Sequence, residues 1–62
     1  MLGARLKFPK GDGSVYQVIA VIAPDQYDND IIVRQVVRGR HGTFEPYTND
    51  LRASRRMVPA DS

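Results

Sequence analysis

Two segments decide the fold: VYQVIAVI at residues 15–22 and IIVRQVVR at residues 31–38. Both are rich in β-branched residues, which lose side-chain freedom in a helix but pack well on a pleated sheet. Residues 23–30, APDQYDND, separate the two segments and are rich in turn formers. The pattern predicts a central antiparallel strand pair in an all-β protein. The first segment is apolar at both odd and even positions, which predicts that both of its faces are covered.

Alternation and turn residues predict the neighbouring strands. Leu2 to Phe8 alternates apolar and basic side chains, which is typical of a half-buried first strand. Gly39 and Gly42 bracket a tight turn that leads into a short strand over residues 43–45. Pro46 cannot donate a hydrogen bond to a ladder, so it either ends that strand or lies on a sheet edge.

The last part of the chain predicts one helical turn, a final strand and a tail. The polar residues before Leu51 can cap a single 3-10 turn over residues 47–51, from which Leu51 points into the core. Residues 53–58 then form the last strand, and residues 59–62 form a flexible tail. The predicted fold is one domain over residues 1–58, a small barrel of four to five antiparallel strands.

This predicted order of strands, with one 3-10 turn before the last strand, resembles SH3-like barrels over nearly the whole chain. Within that layout the chain is also similar to the plasmid-borne type II dihydrofolate reductases. Those enzymes have a comparable length and a late Gln-Ile-Tyr tripeptide that lines a shared pore. The corresponding stretch here is Glu45-Pro46-Tyr47, in which only the Tyr matches. This second resemblance implies an oligomeric pore enzyme that binds folate and nicotinamide.

The chain has 62 residues and no cysteine, which removes disulfides and thiolate zinc sites as means of stabilisation. A single core of this size rarely supplies more than about 3–5 kcal/mol, so self-association is the remaining common means. A homo-oligomer is therefore expected. The lack of cysteine fits a cytoplasmic protein. The longest apolar run is far shorter than the roughly 20 residues of a membrane-spanning helix, which predicts no membrane contact.

Few residues predict chemistry. Asp25, Asp28 and Asp30 cluster between the central strands, but the spacing, the central Gly and the closing Glu of a calcium-binding EF-hand are missing. His41 is the single histidine and lies at a turn tip, without a second feature that would make it a general base. The sequence therefore predicts no catalytic residue, no metal site and no cofactor, and a protein that is not an enzyme.

Arginine and aromatic residues predict a binding surface. The guanidinium fork suits phosphates and carboxylates and stacks on flat rings, and small barrels hold single nucleic-acid strands with rings set beside cations. The candidate binding residues are six arginines and two tyrosines: Arg34, Arg38, Arg40, Arg52, Arg55, Arg56, Tyr27 and Tyr47. Phe44 and Tyr16 either belong to the same set or fill the ends of the barrel.

Nucleic-acid binding is the leading functional expectation from these residues. The first alternative is a protein interaction module, such as a small inhibitor or adaptor that recognises an acidic surface, because Tyr and Arg are enriched in binding hot spots. The second alternative is the oligomeric pore enzyme. A simpler interpretation is that charges of both signs, with a net charge of +2, only keep the protein in solution.

Overall fold

The computed structural model describes residues 1–60, which form a five-stranded antiparallel sheet without a helix. The strands are β1 (Arg5–Lys7), β2 (Val15–Val21), β3 (Ile31–Arg38), β4 (Phe44–Ala53) and β5 (Val58–Pro59). Their order in the sheet is β4-β3-β2-β1-β5, so β4 and β5 are edges that do not pair with each other. The all-β prediction is confirmed, whereas the sheet is open and the closed barrel stays a prediction. Residues 1–60 include no helix that could span a membrane.

The two β-branched segments pair with each other as predicted. Val15 lies opposite Val36 at one end of the ladder, and Val21 lies opposite Ile31 at the other end. Ile19 is an extra residue at a bulge in β2, between Val18 and Ala20. Bulges bend a strand and disrupt its pairing. Ile19 and Val21 are consequently exposed, which contradicts the prediction that both faces of this segment are covered.

β4 is much longer than the sequence predicts. Residues 47–51 continue the strand where a 3-10 turn is expected, and Pro46 lies within this edge strand and does not end it. Pairing with β3 overrides the local capping signal, because Leu51 lies opposite Val33 and Asp50 lies opposite Arg34. The register shifts at residues 47–49, so an irregularity remains at the place where the turn is expected.

The last strand is shorter than predicted and begins later. Ala53 ends β4 opposite Ile31, residues 54–57 run over the core face, and only Val58 and Pro59 pair with β1. The N–H of Ala60 donates to the carbonyl of Arg5 at 2.9 Å. Residues 59 and 60, which the sequence assigns to a flexible tail, are therefore bound to the sheet, and the rest of that tail lies outside the described residues.

The sheet is curled, because residues 54–57 connect its two edge strands, β4 and β5. The edges of a flat five-stranded sheet lie about 19 Å apart. The stretch from Ala53 to Val58 reaches at most about 18 Å when fully extended, and it contains a turn in which Met57 N–H donates to the Ser54 carbonyl. The edges are therefore closer together than in a flat sheet.

The main core lies on one face of this curled sheet. Its buried members are Leu6, Val18, Ile31, Val33, Ala53 and Met57. Leu51 lies on the core face opposite Val33, but it is 37% exposed and therefore only borders the core. Val36 is only 4% exposed, yet it lies three residues after Val33 and therefore on the opposite face. Something other than the main core covers Val36.

Candidate nucleic-acid interface

Three long side chains meet on the face of the sheet that carries Val36. Arg38 lies opposite Phe44 in the ladder between β3 and β4, whereas Arg5 comes from β1, on the far side of β2. The guanidinium carbons of Arg5 and Arg38 lie 4.2 Å and 4.6 Å from the centroid of the Phe44 ring. These three residues are called the arginine–phenylalanine cluster below.

The contact between Arg5 and Phe44 requires this face to be concave. β1 and β4 are about 14 Å apart sideways in a flat sheet, and Arg5 lies in the row of Arg34, four residues along β3 from the row of Phe44. The two side chains nevertheless meet, so they lean towards each other across β2 and β3 and lie over Val36. Beside them is a groove of about 740 Å³, whose other lining residues include Gly3, Gly13, Ser14, Val15 and Ala60. That volume is within the range of small-ligand sites.

Two of the residues that line this groove are glycines, which have no side chain to fill it. Gly3 has a φ of 79° and Gly13 a φ of 90°, values that residues with a side chain rarely adopt. A Cβ atom placed on either residue would meet no atom within 4 Å. The space beside both α-carbons is therefore unfilled.

Neither guanidinium of the cluster has a carboxylate partner among residues 1–60. Arg38 Nη1 donates to the Gly42 carbonyl at 2.7 Å, which ties its guanidinium to the turn between β3 and β4. Arg5 and Arg38 both lie within 5 Å of one ring centroid, so the two cations are within 10 Å of each other. That is about one Debye length at 0.1 M salt, so their repulsion is only partly screened.

Asp12 is an acidic residue that directly precedes Gly13 in the wall of the groove. Its carboxylate accepts the backbone N–H of Ser14 at 2.9 Å. Hydrogen bonds from Ser14 lower the pKa of Asp12, so it is ionised at neutral pH. No arginine of the described chain forms an ion pair with Asp12. Within residues 1–60, no carboxylate therefore forms an ion pair with a cation at the groove.

Arg34, a predicted binding residue, is held by an acid on the next strand. Its Nε and Nη2 donate to the two carboxylate oxygens of Asp50 at 2.6 Å and 3.2 Å. Hydrogen bonds from Arg34, followed by its charge, lower the pKa of Asp50, and Asp50 in turn raises the pKa of Arg34. The guanidinium fork that would receive a phosphate is occupied by Asp50.

Arg55 and Arg56 are also paired with acids, at the end of the sheet where β2 leads into β3. Arg55 Nε donates to Asp30 Oδ2 at 2.7 Å, and Arg56 Nη2 lies 3.5 Å from Asp28 Oδ2. The second oxygen of Asp30 is buried and has no hydrogen-bond partner within the described residues. At this end of the molecule, basic and acidic side chains largely neutralise one another.

The remaining two predicted arginines lie apart from the cluster. Arg40 is exposed at the tip of the turn between β3 and β4, near Arg38 in sequence but not among the residues that line the groove. Arg52 is exposed on β4. The pKa of Asp25 is lowered chiefly by the backbone N–H of Asn29 and additionally by the charge of Arg52.

The predicted tyrosines do not line the groove either. Tyr27 lies in the connection between β2 and β3, and Tyr47 lies on the β4 edge; both rings are exposed. Tyr16 packs edge to face against Phe8, with ring centroids 5.2 Å apart. Of the eight predicted binding residues, only Arg38 is a member of the cluster.

Arg5 is a site residue that the sequence does not predict. The alternation of β1 places Arg5 on its polar face, which is the only signal that the sequence offers. Its contact with Phe44 depends on how strongly the sheet curls between β1 and β4, and no local pattern encodes that curvature. Phe44 is among the aromatic residues that the sequence singles out, and the predicted hairpin brings it near Arg38, but its contact with Arg5 is not apparent.

Neither a search for metal-ligand clusters nor comparison with known proteins indicates a second candidate site. Within residues 1–60, no group of three or more His, Asp or Glu side chains is arranged to hold a metal ion. His41 is exposed at the turn tip. No protein-family model matches the chain, and neither a curated protein nor a solved structure is significantly similar to it.

Proposed function

We propose that the protein binds nucleic acid through the arginine–phenylalanine cluster and the groove beside it. One observation carries the proposal: two guanidiniums lie over the same ring and have no carboxylate partner among the described residues. Guanidinium forks match phosphate oxygens, and phosphate contacts dominate nucleic-acid affinity. A phosphate that contacts both Arg5 and Arg38 would be attracted by two cations and would relieve their mutual repulsion.

The proposed protein is a binding module and not an enzyme, and it acts in the cytoplasm. The curled sheet supports an SH3-like layout in which β5 returns to pair with β1. The sequence predicts Arg34, Arg55 and Arg56 as binding residues, but their ion pairs give them a smaller part in this proposal. Arg34 in particular would have to leave Asp50 before it could contact a phosphate.

Fluorescence anisotropy tests the proposal with labelled single-stranded and duplex DNA at about 50 mM salt. We expect binding that weakens with salt, with a slope of roughly 0.7 to 0.9 per neutralised phosphate. R5Q and R38Q should each weaken binding and lower the slope by about one contact. The matched control is R34Q/D50N, which removes an arginine on the same strand and face as Arg38 together with the carboxylate that already pairs with it. Absence of binding by the unmodified protein to any nucleic acid would overturn the proposal.

Recognition of a protein, including a second copy of this chain, is the alternative function. It is favoured by exposed apolar side chains that border the core face, among them Val21 on β2 and Leu51 on β4. A partner that covered them would extend a small core. Sedimentation equilibrium and the melting temperature at several protein concentrations test self-association. A monomer at high micromolar concentration with a constant melting temperature would exclude the homo-oligomer.

A further inference from the structure

The Phe44 ring is already covered by cations, and this limits what the groove can offer to a ligand. Proteins that bind single strands commonly stack bases on exposed aromatic rings. Here the guanidiniums of Arg5 and Arg38 lie 4.2 Å and 4.6 Å from the ring centroid. A base cannot occupy the same positions while the guanidiniums remain there. The surfaces presented to a ligand are therefore those of the guanidiniums themselves.

A guanidinium held on a ring offers two kinds of contact at once. It is planar and weakly hydrated, so its outer face can stack on a nucleobase, and its N–H groups can donate to a phosphate. Arg38 uses one N–H group on the Gly42 carbonyl. A guanidinium has five N–H donors in total, so Arg38 retains donors for a ligand while the turn restrains its position.

The shape of the site favours a flexible strand over a duplex. Proteins read duplex DNA by inserting a protruding helix or β-ribbon into a groove of the nucleic acid. The two cations of the cluster instead lie on a concave face, beside a recess in the protein that is walled by exposed glycine backbone. A single strand can bend into such a recess and turn its base out of a stack, whereas a duplex keeps its bases paired inside.

We infer that the groove binds single-stranded nucleic acid, with a phosphate contacted by Arg5 and Arg38 and a base stacked on the outer face of one of these guanidiniums. This inference rests on the proposed function and assigns its ligand class. Stacking is indifferent to base identity because every base has a flat face. The contacts therefore favour single strands of any sequence over a duplex.

The first test compares a labelled oligonucleotide with a duplex of the same length at one salt concentration. We expect at least tenfold tighter binding of the single strand, and affinities for mixed-sequence strands that differ by only a few-fold. Duplex binding that is as tight as single-strand binding would overturn the inference and leave the proposed function intact. Absence of binding to both would instead remove the proposed function, so the two failures are distinguishable.

The second test separates stacking from charge with the double variant R5K/R38K. Lysine keeps both positive charges but has neither the planar fork nor the stacking face. We expect at least a tenfold loss of single-strand affinity with an unchanged salt slope, whereas R34K should bind like the unmodified protein. If R5K/R38K retains full affinity, the contacts are purely electrostatic and the inference is wrong.

The variant F44L examines the ring that supports the two guanidiniums. Leucine keeps apolar bulk on β4 but removes the cation–π contacts with Arg5 and Arg38. We expect a several-fold loss of single-strand affinity with the salt slope preserved. Thermal denaturation accompanies each measurement, and the lysine variant, which leaves Phe44 in place, decides the question if F44L unfolds. Unchanged affinity in a folded F44L protein would contradict the assigned role of the ring.

Discussion

The arginines at the two ends of β3 have the same chemistry but opposite surroundings. Arg38 lies at the groove end and, together with Arg5, has no carboxylate partner among residues 1–60. At the other end, where β3 begins, Arg55 and Arg56 are paired with Asp30 and Asp28. The difference shows that the number of arginines in a sequence does not measure its capacity to bind anions. The neighbours of each arginine decide whether its charge is available.

The placement of the acids explains this contrast. Asp28 and Asp30 lie in the connection between β2 and β3, next to the segment that crosses the sheet and carries Arg55. At the groove end, Glu45 follows Phe44 directly and lies opposite Val37, so alternation directs it to the other face of the sheet. The groove arginines therefore lack an acid on their own face in the described part of the chain, apart from Asp50, which is held by Arg34.

The largest effect, a loss of folding, is expected from V33D. Val33 lies on β3, the strand that joins the groove end to the ion-paired end. Val33 is fully buried at the centre of the core, and an unpaired charge there costs more than a domain stabilised by about 3–5 kcal/mol can tolerate. Far-ultraviolet circular dichroism should show an unfolded chain. V21D is the matched control, because Val21 is exposed near the end of the adjacent strand and that variant should remain folded. A folded V33D protein would mean that β3 is not the centre of the core.

A second variant, Q17E, should make the groove end resemble the ion-paired end. Gln17 lies directly opposite Arg5 in the ladder between β1 and β2, on the same face. A carboxylate there would lie between Arg5 and Arg34, which Asp50 already pairs, and would compete with phosphate for Arg5. We expect roughly tenfold weaker nucleic-acid binding, which corresponds to a loss of about 1.4 kcal/mol in binding free energy. The salt slope should fall by about one contact.

Q26E is the control for this experiment, because it makes the same chemical change at an exposed position in the connection between β2 and β3. It should leave binding nearly unchanged. If both variants weaken binding equally, the effect is one of net charge and the distinction between the two ends loses its basis. Thermal melts verify that the lost side-chain hydrogen bond from Gln17 to the Gly3 carbonyl does not unfold the protein.

A smaller effect in the opposite direction is expected from D28N, which releases Arg56. Asp28 has a φ of 62°, a conformation that Asn also tolerates, so the backbone should be unaffected. With its acidic neighbour neutralised, Arg56 should become available to a phosphate and raise affinity by a few-fold, with a steeper salt dependence. Unchanged anisotropy titrations at low salt would show that the ion pair does not control the availability of Arg56.

The smallest effect concerns acid stability. Hydrogen bonds lower the pKa of Asp25, chiefly from Asn29, and of Asp50, chiefly from Arg34, below the ordinary value of 3.8. The ionised form of each is therefore favoured by folding, so its contribution is complete above the ordinary pKa and is lost as the pH falls through the lowered one. The melting temperature should decline as the pH falls below about 4. D50N should reduce that decline, and an identical pH profile in D50N would show that the Arg34 pair does not contribute.

The sequence predicts the centre of the fold better than its periphery. The β-branched segments form β2 and β3 because their residues suit a sheet at every level, from local conformation to burial. Residues 47–51 contain capping residues that favour a helical turn, but the long partner strand β3 draws them into β4. Pairing between two strands is a tertiary effect, which the conformational propensities of the individual residues do not measure.

The candidate site is harder to predict for a related reason. Arg38 and Phe44 lie on two strands joined by a tight turn, so their proximity follows from a hairpin that the glycines already indicate. Arg5 reaches Phe44 across two intervening strands, which depends on the curl of the whole sheet. The ion pairs of Arg34 and Arg55 likewise join residues that lie far apart in sequence. Composition alone therefore treats paired and unpaired arginines as equal.

The irregular course of β4 has a consequence for the behaviour of the protein at high concentration. A ten-residue edge strand with unpaired backbone groups is a template for uncontrolled association into fibres. Pro46 offers no N–H group, and the register shift at residues 47–49 interrupts the regular spacing of the strand. Asp50 and Arg52 place charges on the part that remains regular. This interrupted edge strand is consequently a poor template for amyloid. The interruption protects a chain with so small a core from aggregation during synthesis and refolding.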